Sequence, residues 1–205
     1  MRYRLSDADL VEWLAERGVV VERSTVYRWV QHFLPRFTDA ARSYRQPVGG
    51  RWRVDETSCR LRGRWAYCYR AIDQHGQVVD VRFSERRNAA AARRFFERAI
   101  THTAVVLERV TTDKAGCDPP ALRAVLPTAE HRSAHDLNHG PERDHGHLKP
   151  RLRPMRGVKH LAAADTFTRG HAFVQHLRQG FSRLTAELPR PLRLAAAWPV
   201  LAHAI

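Results

Sequence analysis

Three acidic residues, far apart in the chain, have the chemistry to hold divalent cations together. Asp55 lies in the run 52–57, whose first residues alternate as in a half-buried β-strand. Asp113 ends a second strand-like run, and Glu142 opens a charged segment compatible with a helix. Carboxylate oxygens are the ligands that Mg²⁺ prefers, and Mg²⁺ keeps waters that a substrate phosphate can replace. These residue types predict metal-dependent chemistry on a phosphate group.

A basic cluster follows the third of these acids. If the segment from Glu142 is helical, Lys149 lies about two turns further on, so a metal-binding acid and a phosphate-binding cation share one face. The run then continues with residues suited to the backbone of DNA, with an attraction that is stronger in low salt. The predicted DNA-binding residues here are Lys149, Arg151, Arg153 and Arg156.

The charge balance of the chain indicates a polyanionic partner. Its 205 residues include 35 Lys and Arg against 21 Asp and Glu, which gives a formal net charge of +14. The sequence contains neither an uninterrupted apolar span nor a signal peptide, so nucleic acid is favoured over a membrane. Its three cysteines lack the C-x-x-C spacing of a structural zinc site and cannot all pair.

Six sequence motifs, taken together and in order, resemble one family. They resemble bacterial insertion-sequence transposases of the DDE class, and most closely the "insertion sequence six" family, over residues 3 to 180. The motifs are W-R-V-D-E-T at 52–57, L-R-G-R-W-A-Y at 61–67 with Y-R-A-I-D at 69–73, R-N at 87–88 with A-A-R-R-F-F at 91–96, T-D-K at 112–114, E-x-D-H at 142–145 and R-x-R-P-M at 151–155.

The resemblance implies an α/β fold of the RNase H-like class, a mixed sheet flanked by helices. In that fold adjacent strands carry Asp55 and Asp113, and a later helix delivers Glu142, so that all three are catalytic and metal-binding. The implied cofactor is Mg²⁺, with Mn²⁺ as a substitute. The implied partners are double-stranded DNA, as terminal inverted repeats and target DNA, and further copies of the chain, because two element ends must be held together. The implied location is the bacterial cytoplasm, with association with the nucleoid when DNA is bound.

The identity of the third ligand has alternatives. The interval between Asp113 and Glu142 is shorter than the family usually has, and Pro141 replaces a residue that elsewhere extends the helix. Asp144 and Glu130 are therefore the alternative third ligands.

Residues 1–35 carry two helical patterns that suggest a helix-turn-helix. Ser6 and Asp9 can form a capping box for the first helix, and Gly18 can close it. Ser24 opens the second helix and Pro35 ends it, with Val26, Trp29, Val30 and Phe33 inward. The outer side then carries residues able to contact DNA in a major groove: Thr25, Arg28 and Gln31. A plain helical hairpin is the alternative, and the resemblance favours DNA binding.

The remaining pattern predicts the domain organisation. Residues 36–50 read as a linker, and residues 51–180 as the integrase-type catalytic domain. Within that domain we expect strands at 51–59, 64–73, 77–84, 105–113 and 128–131, and helices at 88–100 and 119–126. Residues 181–205 contain several prolines and are expected to form a loosely packed tail.

The sequence therefore predicts a transposase that cleaves DNA at element ends and transfers the strand into target DNA. Family members usually begin with a further helical segment, so this chain is expected to be truncated at its N-terminus. The alternative function is a catalytically impaired, DNA-binding remnant of such a transposase. A metal-dependent nuclease without strand transfer is a further alternative.

Overall fold

A computed structural model describes residues 5–61, 63–112, 119–133 and 160–205. The chain divides into two compact units, which we call the helical unit and the sheet unit. Of the described residues, the helical unit contains 5–46 and 166–205, and the sheet unit contains 47–61, 63–112, 119–133 and 160–165. No helix of the described part of the chain is long and apolar enough to cross a membrane.

The sheet unit is built on one mixed five-stranded sheet. Strands β1 to β3 form an antiparallel meander, and β4 and β5 lie parallel to β1, in the spatial order β3-β2-β1-β4-β5. With the flanking helices this is the RNase H-like arrangement expected from the sequence. The strands are β1 Arg51–Leu61, β2 Arg64–Asp73, β3 Val78–Ser84, β4 Arg109–Thr112 and β5 Glu130–Ser133; the helices between them are α3 Ala89–Thr103 and α4 Pro119–Val125.

One face of the sheet packs against α3. Alternate residues of β1, Trp52 and Val54, lie in this core together with Val110 of β4, as the period of two in the sequence requires. Phe95 and Phe96 of α3 cover them and are fully buried. The predicted cap at Asn88 is confirmed, because its side chain accepts a hydrogen bond from the Ala91 amide at 2.9 Å.

The start of β1 is fastened to the turn after β2 by a buried carboxylate. Asp73 is 1% exposed, and it accepts hydrogen bonds from the amides of Gly49, His75 and Gln77 at 3.0, 2.9 and 2.9 Å. The Trp52 indole donates to the Gly49 carbonyl at 2.8 Å. Because these hydrogen bonds pair buried polar groups of the segment that leads into β1 with the turn after β2, the segment has one defined position relative to β2.

A partly buried ion pair joins α3 to β3. The Arg98 guanidinium donates to both carboxylate oxygens of Asp80, at 2.8 and 2.9 Å, and also to the Val81 carbonyl at 2.6 Å. Such a bidentate contact fixes the relative orientation of the two side chains as well as the distance between them. The helix that covers the core is thus held in register with the edge of the sheet.

The helical unit begins with the predicted capping box. Helix α1, Asp7–Ala15, starts at Ser6, whose hydroxyl accepts from the Asp9 amide while the Asp9 carboxylate accepts from the Ser6 amide. Gly18 follows this helix with a φ of 78°, a conformation that favours glycine. Helix α2, Arg23–Ala40, begins one residue before the predicted Ser24, with Glu22 at the cap position.

The expectation that Pro35 ends the second helix is wrong. Helix α2 continues through Pro35 to Ala40, and a 3₁₀ turn, Ala41–Tyr44, follows it, so these residues of the predicted linker are helical. A proline inside a helix costs about 3 kcal/mol. Burial offsets that cost here, because Leu34, Phe37 and Ala40 pack against the core of the helical unit.

The inward face predicted for α2 is correct only in part. Val26 is buried, but Trp29 and Phe33 are 42% and 39% exposed. The core of the helical unit instead contacts Leu34, Phe37 and Ala40 of this helix. The spacing of its aromatic residues therefore did not identify the inward side correctly.

The loosely packed tail expected at 181–205 is also wrong. Helix α6, Arg193–Ala202, follows α5, Leu161–Gln179, in the chain. Leu194, Ala197 and Leu201 are spaced for one helical face, and they pack with Phe173 and Leu177 of α5. Pro199 lies inside α6, so the prolines of this segment do not prevent an ordered helix.

Candidate active site

Asp55 lies near the middle of β1, on the face opposite to Trp52 and Val54. Its side chain is half-buried, and the Thr57 hydroxyl lies 3.4 Å from its Oδ2 as a hydrogen-bond donor. Directly across the ladder to β2 stands Arg70, which is 3% exposed. Residues directly opposite in an antiparallel ladder carry their side chains on the same face of the sheet.

The parallel ladder brings the end of β4 alongside this carboxylate. Val54 pairs with Thr112, the last residue of β4, so the ladder stops one residue before Asp55. Asp113 is the next residue in the sequence after Thr112 and lies outside the described residues. In the sequence, Asp55 and Asp113 are thus the residues that follow the last pair of this ladder.

Most of the other predicted site residues also lie outside the described part of the chain. These are Glu142, its alternative Asp144, and the predicted DNA-binding residues Lys149, Arg151, Arg153 and Arg156. Their roles remain the predictions made from the sequence.

Glu130, the other alternative for the third ligand, is described and does not approach Asp55. It is the first residue of β5 and pairs with Arg109, which pairs with Arg51, four residues and about 13 Å from Asp55 along β1. Its carboxylate already accepts from Arg109 and Arg132, at 2.7 and 2.6 Å. These hydrogen bonds hold the pKa of Glu130 below its usual range. As an alternative third ligand Glu130 is disfavoured, because Arg109 and Arg132 already bind its carboxylate.

A hydrogen bond that the sequence did not indicate holds the end of β4 to β5. The Thr112 hydroxyl lies 2.8 Å from Nε2 of His131, and Thr112 itself is buried. Burial of the ring, assisted by the nearby Arg123, lowers the pKa of His131, so the ring favours the neutral form. The contact steadies the last described residue before Asp113. No short sequence spacing could have predicted it, because parallel strands join distant segments.

An ion pair beside Asp55 joins β1 to the start of α3. Glu56 has a 3% exposed side chain, and its Oε1 accepts from Nε of Arg87 at 2.7 Å. Burial raises the pKa of Glu56, while Arg87 and a hydrogen bond from Tyr69 oppose the rise, and the charge of Asp55 adds to it. Both partners belong to motifs that support the family resemblance, although their pairing could not be predicted from spacing. Arg87 precedes Asn88, the cap of α3, so the contact fixes β1 next to Asp55.

The described residues supply one carboxylate of the predicted metal site. Across 5–61, 63–112, 119–133 and 160–205, no three His, Cys, Asp or Glu side chains are grouped to hold a metal ion. Asp55 fits the role of a single ligand, because its carboxylate oxygens are hard ligands and its side chain is half-buried. The pairing of β1 with β2 holds its backbone in place. The other two predicted ligands belong to segments outside this description.

The predicted DNA-contacting residues of α2 are all described. Arg28 is exposed, and Thr25 and Gln31 are half-buried. Their spacing of three residues places them along one side of the helix. The Arg28 guanidinium donates to the Thr25 hydroxyl at 3.2 Å, which holds two of the three side chains together.

Comparison with known proteins now defines the class of this chain. Residues 49–181 match a family model described as a DDE domain, and this match covers more than half of the chain. The transposase for insertion sequence-like element IS431mec of Staphylococcus aureus (strain N315) is 36% identical over 156 residues, which are 74% of this chain and 69% of that transposase. The transposase for insertion sequence element IS257 in transposon Tn4003, also from Staphylococcus aureus, is 35% identical over the same shares.

The chain therefore belongs to the insertion sequence six family of DDE transposases, enzymes that cut and rejoin DNA in transposition. Among solved structures, the HTLV-2 integrase catalytic core domain in complex with magnesium is 15% identical, with a TM-score of 0.45, and the match covers 65% of this chain and 87% of that one. The catalytic core domain of BIV integrase is 15% identical, with a TM-score of 0.43, over 63% and 84% of the two chains.

The buried Glu56 predicts a pH-dependent effect of Glu56→Gln on stability. In the folded protein this carboxyl keeps its proton to a higher pH than in the unfolded chain, whose pKa is about 4.5. The folded state then binds more protons between the two pKa values, so the stability of the wild type falls as pH rises through that window. The glutamine variant lacks this fall. We expect its stability relative to the wild type to improve from below pH 4.5 toward neutral pH.

The measurement is the free energy of unfolding in urea at a series of pH values, with circular dichroism as the probe of unfolding. The matched control is Glu97→Gln, since Glu97 forms an exposed pair with Arg93 on α3. If the free energy of unfolding differed between the wild type and Glu56→Gln by the same amount at every pH, the raised pKa of Glu56 would be contradicted.

Proposed function

We propose that Asp55, Asp113 and Glu142 together hold two divalent cations, Mg²⁺ or Mn²⁺, at which this transposase cuts the ends of its element and joins them to target DNA. The observation that carries the proposal is the ladder between β1 and β4. It pairs Val54 with Thr112, and the residue that follows each of them in the sequence is an aspartate. Carboxylate oxygens are the ligands that such cations prefer.

The described surroundings of Asp55 fit this chemistry. Bound divalent ions would favour deprotonation of the attacking water or 3′-hydroxyl and stabilise charge on the leaving oxygen. Asp55 contributes hard oxygen atoms, and its neighbours in β1 and β2 fix their position. The attacking groups are water and a DNA hydroxyl, so this mechanism requires no serine or tyrosine nucleophile.

The same proposal assigns roles to the basic residues beyond Glu142. Lys149 would bind a phosphate near the cut, while Arg151, Arg153 and Arg156 would follow the DNA backbone. The net charge of +14 supports a nucleic-acid partner. Because an element has two ends, we also propose that copies of the chain assemble on them. A catalytically impaired remnant is not favoured, since the chain matches transposases over most of its length.

Substitution of the three acids tests the proposed site. Asp55→Asn, Asp113→Asn and Glu142→Gln should each lower Mg²⁺-dependent cleavage of an element-end duplex by more than about 100-fold, since loss of even outer partners of metal ligands costs 10- to 100-fold. DNA binding, measured by electrophoretic mobility shift, should remain. The matched control is Asp39→Asn, because Asp39 is exposed on α2 and forms only a surface pair with Arg42.

Cleavage that survives Asp55→Asn would refute the proposed site. Binding without cleavage by the unmodified protein would instead support the remnant. Cleavage without strand transfer would support a nuclease.

We further propose that α2 reads the terminal inverted repeats of the element through Thr25, Arg28 and Gln31. An α-helix fits the major groove, where arginine can pair with two acceptors of guanine and glutamine with adenine. The exposed Arg28, held by Thr25, supports this role.

Arg28→Ala should reduce the preference for a terminal-repeat duplex over a scrambled duplex by roughly tenfold, since one base contact contributes about 1–3 kcal/mol of discrimination. The matched control is Arg36→Ala, which removes the same charge from an exposed position of α2. Fluorescence anisotropy with both duplexes measures the ratio. Equal losses on the two duplexes for Arg28→Ala would exclude base reading by this residue.

A further inference from the structure

The hairpin between β1 and β2 extends past the rest of the sheet. The ladder from β1 to β4 ends at Val54 and Thr112, and the ladder from β2 to β3 ends at Tyr67 and Ser84. Residues 59–61 and 64–66 therefore pair only with each other. Three residue pairs at about 3.3 Å per residue give a two-stranded ribbon roughly 10 Å long before the turn. We call residues 59–66 the hairpin tip.

The side chains of the hairpin tip are basic and aromatic. Arg60, Arg64 and Trp65 are all exposed, and Trp65 is 53% exposed. The sequence adds a further arginine at position 62 and has no Asp or Glu between Glu56 and Asp73. Within the ranges described, Arg60 and Arg64 form no ion pair. Two cations and a large ring therefore project from the sheet with no acidic partner among the residues that the structure describes.

Trp65 holds one of these cations in place. Arg60 and Trp65 are direct partners in the ladder, and the guanidinium carbon of Arg60 lies 4.8 Å from the ring centroid of Trp65. Such a cation–π contact orders a long side chain in advance and leaves its hydrogen-bond donors available. Gly63 turns the chain with a φ of 80°, and there is open space around it. Nothing described blocks the approach of a partner to the turn.

We propose that the hairpin tip enters a groove of the duplex that carries the phosphate to be cut. This inference rests on the proposed function, because Asp55 on the same strand sets the distance. A two-stranded ribbon fits the major groove of B-DNA, which is about 12 Å wide and 8.5 Å deep. Arg60 and Arg64 bind the phosphates at its edges, and Trp65 positions Arg60.

The length of β1 limits how far along the duplex this contact can fall. Arg60 follows Asp55 by five residues of one continuous strand, a span of about 17 Å. One base pair occupies about 3.4 Å of the helix axis, so the hairpin tip meets the duplex within about five base pairs of the phosphate at Asp55. An apolar protein partner or a membrane surface would give no such relation to the site of the cut.

The salt dependence of binding tests the phosphate contacts. The variant Arg60→Ala/Arg64→Ala is compared with Arg93→Ala/Arg94→Ala, which removes two exposed arginines from α3. Binding to an element-end duplex is measured over a range of salt concentrations, and circular dichroism confirms that both variants are folded. The slope of log affinity against log salt should become shallower by about 1.8 for the hairpin variant, since each lost phosphate contact removes about 0.9. Affinity should fall roughly tenfold or more, while the slope for the α3 variant should stay at the wild-type value.

Substitution of single phosphates by neutral methylphosphonates tests the position. Neutral groups at one position within about five base pairs of the cut should weaken binding of the wild type and leave binding of the hairpin variant unchanged. Trp65→Phe should keep this interference pattern, because phenylalanine retains a ring face, and Trp65→Ala should weaken it.

Several results would overturn the inference: equal slopes for the two double variants, an interference pattern that persists in the hairpin variant, or a loss confined to a separate target duplex. These readouts need binding alone. Failure of cleavage in the wild type would refute the proposed function and leave the comparison of slopes interpretable.

Discussion

The parallel pairing of β1 with β4 joins two strands that are distant in sequence, and its register decides which acidic residues can meet. Val54 lies opposite Thr112, and the residue that follows each of them in the sequence is an aspartate. A shift of one residue would turn the paired side chains of β4 to the opposite face of the sheet, since side chains alternate along a strand. The burial of Trp52, Val54 and Val110 against α3 opposes such a shift, because it would expose them.

Two further contacts hold β1 on either side of Asp55. Before it, Asp73 binds the backbone at Gly49, where the chain enters the strand. After it, Glu56 binds Arg87 at the start of α3. The carboxylate thus lies on a strand whose two flanks are fixed by buried polar groups. Catalytic side chains must keep their geometry closely, and rigid elements supported by such contacts provide it. Beyond Ser58 the strand leaves the sheet as the hairpin tip, so one continuous element connects the site with the proposed DNA contact.

The sequence predicted the parts of this fold that depend on local rules. Alternation in the first residues of 52–57 indicated a strand, the turns around 64–73 indicated another, and a side-chain cap indicated the start of α3 at Asn88. Pro35 and the prolines near the C-terminus misled because burial between helices outweighed local propensity, which no window of neighbouring residues reveals. Glu130 appeared available as a ligand because its two arginine partners come from other positions of the sheet. The partners of Glu56 and His131 were missed for the same reason. Family motifs compensated in part, since they named Asp55 and the residues around it without the tertiary contacts.

Cleavage of the protein chain by Fe²⁺ in place of Mg²⁺ tests whether Asp55 and Asp113 share bound cations. With ascorbate and peroxide, iron bound at the site generates radicals that cut the backbone nearby, and the fragments are mapped by mass spectrometry. We expect cuts near residues 55 and 113 that excess Mg²⁺ suppresses and that Asp55→Asn abolishes. Cuts confined to other segments, or cuts near 113 that persist in Asp55→Asn, would show that the two aspartates do not share a cation.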